Sequence, residues 1–255
     1  RLSEKWGGER KPGKWIDDVG IPIFFLGMVG WLLFMANSKT SLMGLIVGIL
    51  VYVGLGLRNV RAHVGSYLSA GILTLLIMQA AFDITGALIE GTGRDATLTG
   101  RTELWEVVLS MDPRPILGYG FESFWLGDRL KVLHEMYAFK PNQAHNGYIE
   151  TYLNLGWVGL FFVAWVIVSC FVKLRKMLAS DPGMTELVLF GRFGMAFLAA
   201  FVVYNYTEAA FKSLHFLFVI FLLFTIKYSE LQQRIAQSSP AGFPRDAQSP
   251  QEQRV

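Results

Sequence analysis

Three cations occupy positions where they could do chemistry. Lys39 sits in the tight turn Asn37-Ser38-Lys39-Thr40-Ser41, Arg101 follows Gly100 at the start of a helical pattern, and His145 precedes a long apolar run. The helical pattern is Thr102 to Met111 (TELWEVVLSM), where Leu104, Val108 and Met111 recur at helical spacing and Pro113 ends the run. A helix N-terminus offers unpaired N–H groups and a dipole that favours anions. The arginine guanidinium is a planar fork that matches phosphate oxygens. Together the three point to an anionic, phosphate-bearing ligand. Each also has an ordinary alternative. Lys39 could be a snorkelling anchor, Arg101 could pair with Glu103, and His145 could be a hydrogen-bonded loop histidine.

The elements that must hold these residues are membrane helices. The chain has 255 residues, 53% hydrophobic and 17% charged, with 20 Phe and 7 Trp. A typical soluble domain is about 25% charged. Too little polar surface remains to cover a soluble bundle of this composition. A bilayer core needs about 20 apolar residues per helix. Runs of that kind cover Val19 to Ala36, Leu42 to Leu57, Tyr67 to Phe82, Leu155 to Val172, Phe193 to Tyr206 and Leu214 to Tyr228. The expected fold is therefore all-α and polytopic, with six transmembrane helices. Residues 1–18 form a cytoplasmic N-terminal segment, 19–236 the membrane domain, and 237–255, rich in Gln, Ser and Pro, a disordered cytoplasmic tail.

Orientation follows from the loop cations. With the N-terminus inside, the inner segments hold 14 Lys and Arg, and the short outer loops hold only Lys39 and Lys212. Both termini then face the cytoplasm. The long segment 83–147 faces the other side, with Trp15 and Trp157 near the interfaces. That long loop reads as ordered. It contains the Thr102 helix, a turn at Gly118-Tyr119-Gly120-Phe121, and an amphipathic helix from Ser123 to Met136 with Phe124, Leu130 and Leu133 on one side. All three cations lie on the outer face.

Other chemistries find no pattern. There is no HExxH, no phosphate-binding glycine loop and no Gly-x-Ser-x-Gly nucleophile, and the four His are scattered. The single cysteine, Cys170, excludes an intramolecular disulfide framework. The net charge of +3 lies beside apolar runs, so it marks membrane flanks and not a nucleic-acid surface. No cofactor or metal is expected.

The stretches NSKTSLMGLIVGIL (37–50), GRTELWEVVLSMDPRPILGYGFESFW (100–125), AHNGYIETYLNLGWVGLFF (144–162) and YNYTEAAF (204–211) resemble the O-antigen ligase and polysaccharide polymerase superfamily. The ordered set GRT-x-LW, G-x-G-F and AHN-x-Y…LG-x-x-GL carries the likeness. The resemblance implies a multi-pass glycosyltransferase of the bacterial inner membrane. Its donor would be a glycan on an undecaprenyl-diphosphate carrier at the periplasmic face. Its acceptor would be lipid A–core for a ligase, or a carrier-linked repeat unit for a polymerase. It also implies about twice as many helices, so this chain is expected to match the C-terminal half. Arg101 and His145 match the family's loop arginine and histidine. Lys39 stands where many ligases have an arginine, and the S-K-T-S form is closer to the exopolysaccharide polymerase branch.

On that reading Arg101 and Lys39 neutralise the leaving diphosphate, without a metal. His145, with a reference pKa of about 6.5, takes the acceptor proton, and direct displacement inverts the anomeric carbon. Asn146 and Glu150, four apart, are expected to share a helical face, with Glu150 orienting His145 or a sugar. Glu208, at the outer end of the fifth span, could do the same. Tyr148, Trp105 and Trp125 could stack on sugar rings. Two rivals stay open. A transporter half predicts ionisable residues in mid-span, but the spans carry none there; Arg192, His215 and Lys227 stand at or beside span ends. A non-catalytic membrane subunit explains the topology but not the ordered motifs.

Overall fold

Apolar residues recur without interruption for several turns at a time in this sequence, and among the described residues these runs form helices. The computed structural model describes residues 19–69, 96–111, 114–179, 185–212 and 214–226, and among these there is no strand. The N-terminal segment 1–18, most of the Tyr67 to Phe82 run, residues 83–95 of the long loop and the tail 237–255 lie outside the described residues.

Eight α-helices are needed to follow the site: α1 (Ile21–Ala36), α2 (Lys39–Gly54), α3 (Arg58–Ala62), α4 (Ala96–Ser110), α5 (Asp128–Met136), α6 (Gly147–Leu178), α7 (Thr185–Thr207) and α8 (Phe216–Ile226). Among the described residues, only α6 and α7 are both long and apolar enough to cross a membrane; α1, α2 and α8 are shorter apolar helices. At 1.5 Å per residue, 16 residues of α1 or α2 reach about 24 Å, short of the roughly 30 Å hydrocarbon core.

α7 is the centre of the bundle. It runs antiparallel to both α2 and α6, and packs against α8. The contact with α2 is close because both faces are small. Gly48 lies against Ala196 and Ala200, and Gly44 against the Ala200 carbonyl. This is the small-residue spacing that lets two membrane helices approach. Beside that contact, Phe201, Phe221, Leu174 and Met177 belong to the buried core of the bundle. α7 begins at Thr185, eight residues before the expected Phe193. The reason is Arg192, which ended the apolar run in the sequence but is accommodated inside the helix. Its guanidinium donates to the Tyr52 carbonyl (2.8 Å) and lies over the Tyr52 ring. α1 buries none of its residues and ends at Asn37, which takes a left-handed conformation (φ 44°).

The segment between the bundle's helices builds a second core of its own. Leu104, Trp105, Val108, Phe124, Trp125, Leu133, Ala144 and Leu153 are buried together there. The helix expected over Ser123 to Met136 is divided. A 3-10 turn at Ser123–Trp125 is separated from α5 by Gly127 (φ 68°), a conformation that glycine adopts at no steric cost.

α6 is broken at Gly156 (φ 63°, ψ −157°), and the turn at 114–122 fills the break. In an unbroken helix Trp157 and Val158 would donate to Leu153 and Asn154. Here Trp157 donates to the Pro115 carbonyl (2.8 Å) and Val158 to that of Ile116 (3.3 Å). The Leu153 and Asn154 carbonyls accept from Tyr119 and Gly120 (2.9 Å each). The Asn154 side chain also accepts from the Glu122 amide (3.0 Å). Backbone groups freed by a helix break are costly to bury unless paired, and this loop pairs all four. The approach is so close that a Cβ on Gly156 would overlap Ile116, and one on Gly118 would overlap Asn154.

Candidate functional site

One end of the bundle gathers the chain termini of several helices: the starts of α2, α6 and α8, the end of α7, and the early part of α4. Local chemistry explains how each is held. Ser38 caps α2 by accepting from the Ser41 amide (3.2 Å), which makes Lys39 the first helical residue and not a turn residue. Asn146 caps α6, accepting from the amides of Tyr148 (3.0 Å) and Ile149 (3.1 Å). It therefore precedes the helix that Glu150 occupies, and the expected shared face does not form. Asn205 closes α7, accepting from the Ala210 amide (3.0 Å).

Gly147 is what brings α6 and α7 together. A Cβ there would overlap Asn205 Oδ1, so only glycine permits this approach. Two residues before it, His145 reaches Glu208, three residues after Asn205. His145 Nδ1 lies 3.3 Å from Glu208 Oε2. An ionised carboxylate only accepts, so Nδ1 donates and Nε2 of the neutral ring is left as the acceptor. His145 itself has φ 49°, an uncommon conformation for a residue with a side chain.

Arg101 reaches the same carboxylate from α4. Its Nη1 donates to the Thr207 carbonyl (2.6 Å), and Nη2 lies 3.5 Å from Glu208 Oε1. α4 starts at Ala96, so Arg101 stands in its second turn and not at its N-terminus. It offers its guanidinium, not a free backbone N–H. Its partner is Glu208; Glu103 is exposed. Trp105, one turn further on, anchors α4 by donating to the Ala144 carbonyl (2.7 Å), beside His145.

Glu208 is thus shared by a histidine and an arginine. The hydrogen bond from His145 is the main reason its carboxyl lies below the usual carboxylate range. Partial burial opposes this; the charge that His145 carries when protonated and that of Arg101 add to the lowering. The side chains of Arg101, His145 and Glu208 keep 25%, 34% and 31% of their surface exposed, so the cluster is open to a ligand.

Lys39 stands next to Thr40, which meets the end of α7. Thr207 donates its hydroxyl hydrogen bond to that of Thr40 (2.9 Å), which ties the start of α2 to the end of α7. A cation at a helix N-terminus opposes the dipole, and both add to the positive potential at this corner.

The remaining sequence candidates have structural partners. Glu150 is 2% exposed, and its two oxygens accept from Trp125 Nε1 (2.8 Å) and the Ala144 amide (2.9 Å). It holds the backbone before His145 and does not touch the imidazole. Trp105 and Trp125 are buried. Tyr148 donates to the Val202 carbonyl (2.9 Å).

Sequence reasoning passed over Lys212, Gln143 and Glu122. Lys212 Nζ pairs with Glu122 Oε1 (3.1 Å) and donates to Gln143 Oε1 (3.3 Å). The Gln143 amide nitrogen in turn lies 3.5 Å from His145 Nδ1. Lys212 counted only as an outer-loop charge, and nothing in its spacing from Glu122, 90 residues away, signals the contact.

Below the cluster, an apolar groove of about 540 Å³ runs between α2 and α7. It descends from Ser41 and Tyr204 through Leu45, Ala200 and Phe197 to Tyr52. Among the described residues no group of three or more His, Cys, Asp or Glu gathers.

A family model described as O-antigen ligase matches residues 23–164, more than half of the chain. The chain belongs to the O-antigen ligase family. The matched range includes Lys39, Arg101 and His145; Glu208 and Lys212 lie beyond it. The chain is also 32% identical over 117 residues to the exopolysaccharide production protein ExoQ of Rhizobium meliloti (strain 1021). That match takes in 43% of this chain and 27% of the relative, so it spans about a quarter of the relative's length. No solved structure matches the chain. Family membership and the apolar helices together make this a membrane protein of the ligase and polymerase type.

Proposed function

We propose that the chain carries out metal-independent, inverting glycosyl transfer from an undecaprenyl-diphosphate-linked glycan to an acceptor hydroxyl, at the periplasmic face of a bacterial inner membrane. The acceptor hydroxyl gives its proton to His145 Nε2 as its oxygen attacks the anomeric carbon. The bond from that carbon to the diphosphate oxygen breaks, and the diphosphate leaves with the electron pair. Arg101 and Lys39 balance its charge. Glu208 is a positioning residue, holding the imidazole with Nε2 free and the guanidinium in place.

The observation that carries this reading is the shared carboxylate, which sets a base and an anion-binding cation side by side at the open end of the bundle. The groove between α2 and α7 adds support, since an apolar channel beginning beside the cluster suits the chain of a lipid carrier. At about 1.5–3 kcal/mol per charge-assisted hydrogen bond, the cations lower the barrier to departure substantially.

The test is transfer in proteoliposomes from a synthetic polyprenyl-diphosphate glycan, with chelator present. Arg101→Ala and His145→Ala are expected to lose product while inserting normally. Wild-type product from either variant rejects the assigned roles.

A second reading is polymerisation of carrier-linked repeat units. The similarity to an exopolysaccharide production protein and the S-K-T-S turn favour it. A ladder of products supports polymerisation, and one transferred block supports ligation.

A further inference from the structure

We propose that the turn Pro115-Ile116-Leu117 is a lipid-facing wedge, seated in the outer leaflet at the boundary between headgroups and acyl chains. This rests on the reading that α6 crosses the membrane. The turn's depth is set by the backbone. Pro115 and Ile116 accept from Trp157 and Val158, the first residues after the break in α6. The apolar stretch of α6 begins at that point, with Trp157 as its uppermost aromatic residue, where membrane interfaces collect tryptophan. The turn is therefore bonded to the spanning helix at the level where the hydrocarbon starts.

Its side chains point outward. Ile116 is 66% exposed and Leu117 69%, beside Trp157 at 63% and Leu155, also exposed. These four extend the exposed apolar surface of α6 that continues through Phe161, Phe162 and Trp165. That continuity with the helix's membrane surface names the occupant. A loop in water gains nothing from presenting adjacent isoleucine and leucine side chains at this exposure, whereas burial of apolar side chains at the headgroup boundary is favourable. Arg114, just before the turn, is exposed and lies over the Tyr119 ring (5.4 Å), placed to meet lipid phosphate while the apolar pair dips below.

The consequence reaches the site. The same turn continues through Gly120 to Glu122, which pairs with Lys212, and Lys212 donates to Gln143 beside His145. Anchoring the turn in the leaflet holds the cluster at a set height above the lipid phosphates.

The experiment uses the full chain in lipid nanodiscs. Cys170 is replaced by Ala, and single cysteines at Leu117, Trp165 or Asp128 carry an environment-sensitive fluorophore. Trp165 lies eight residues below Trp157, about 12 Å deeper along α6, and Asp128 is fully exposed in α5. The Leu117→Cys label is expected to emit at shorter wavelength than the Asp128→Cys label. It should be quenched at least twofold more by lipid with a shallow nitroxide than with a deep one, and be shielded from aqueous iodide. The Trp165→Cys label should prefer the deep nitroxide. An Ile116→Cys label, in the same turn and similarly exposed, serves if Leu117→Cys fails to fold. Iodide quenching at Leu117 equal to that at Asp128 overturns the proposal, as does protection from both quenchers, which would mean that protein covers the face. Lipid quenching at Trp165 with none at Leu117 sinks the wedge alone; none at either sinks the membrane-spanning reading of α6 as well.

Discussion

Glu208 connects the two residues to which the proposed chemistry is assigned, so its own substitution is the most informative. Glu208→Gln keeps the shape but removes the charge that orders His145 and Arg101. Losing a charge-assisted hydrogen bond of about 1.5–3 kcal/mol predicts a roughly 10- to 150-fold fall in transfer rate, measured by product formation in proteoliposomes. The lowered pKa has a stability consequence. The native value lies below the ordinary 4.5, so the stabilisation is complete above that range and is lost as pH falls through the native value. Thermal unfolding of detergent-solubilised protein between about pH 6 and pH 3 should show this decline, and Glu208→Gln should flatten it. Lys39→Arg tests charge against shape at the start of α2. Activity within about threefold of wild type is expected if the residue acts as a point charge.

At the scale of elements, glycines decide how close the pieces come. Gly156 and Gly118 combine positive φ with a backbone neighbour where a Cβ would lie. Replacing either by Ala should lower stability by at least about 1–3 kcal/mol, the range for a strained residue, seen as a drop in unfolding temperature. Gly27→Ala in α1 meets no atom within 4 Å and should be neutral or slightly stabilising in the same assay. Gly147→Ala is a different case. It pushes α6 away from Asn205 and separates His145 from Glu208, so activity should fall far more than helix content measured by circular dichroism. The motif LG-x-x-GL in the sequence is the helix break seen from one side, and G-x-G-F is the turn that fills it.

Across the whole molecule, the two ends of the bundle are chemically distinct. Arg101, His145, Glu208 and Lys212 occupy one end. At the other, Lys173 donates to the Thr225 carbonyl (2.8 Å) and Arg192 to that of Tyr52. The groove between α2 and α7 runs from the first end to the second, where Tyr52 and Arg192 meet. Bulk placed in it should obstruct a lipid carrier without touching the polar cluster. Ile49→Trp, at an exposed position lining the groove, is expected to raise the KM for a long-chain polyprenyl donor more than for a short-chain one, in a comparison of the two at fixed acceptor. An equal effect on both would show that the groove is not used by the carrier.

Periodicity and composition are local properties, and they sufficed for the helical class, the apolar runs and the membrane character. Residue types and ordered motifs also singled out Arg101, His145 and Lys39. What the sequence could not supply was their geometry. Contacts between residues 145 and 208, or 101 and 207, depend on Gly147 fitting against Asn205 and on Trp105 reaching Ala144, and such packing leaves no periodic trace. The same holds for Glu150, which had the type and spacing of a site carboxylate. Burial against Trp125 and the Ala144 amide makes it a clamp for the backbone before His145. Lys212 shows the converse: an unremarkable loop cation by sequence, it meets Glu122 and Gln143 only because the break in α6 draws the 114–122 turn to the end of α7. Tertiary structure decided these roles because hydrogen bonding and close packing act between side chains that are near in space, however far apart they stand along the chain.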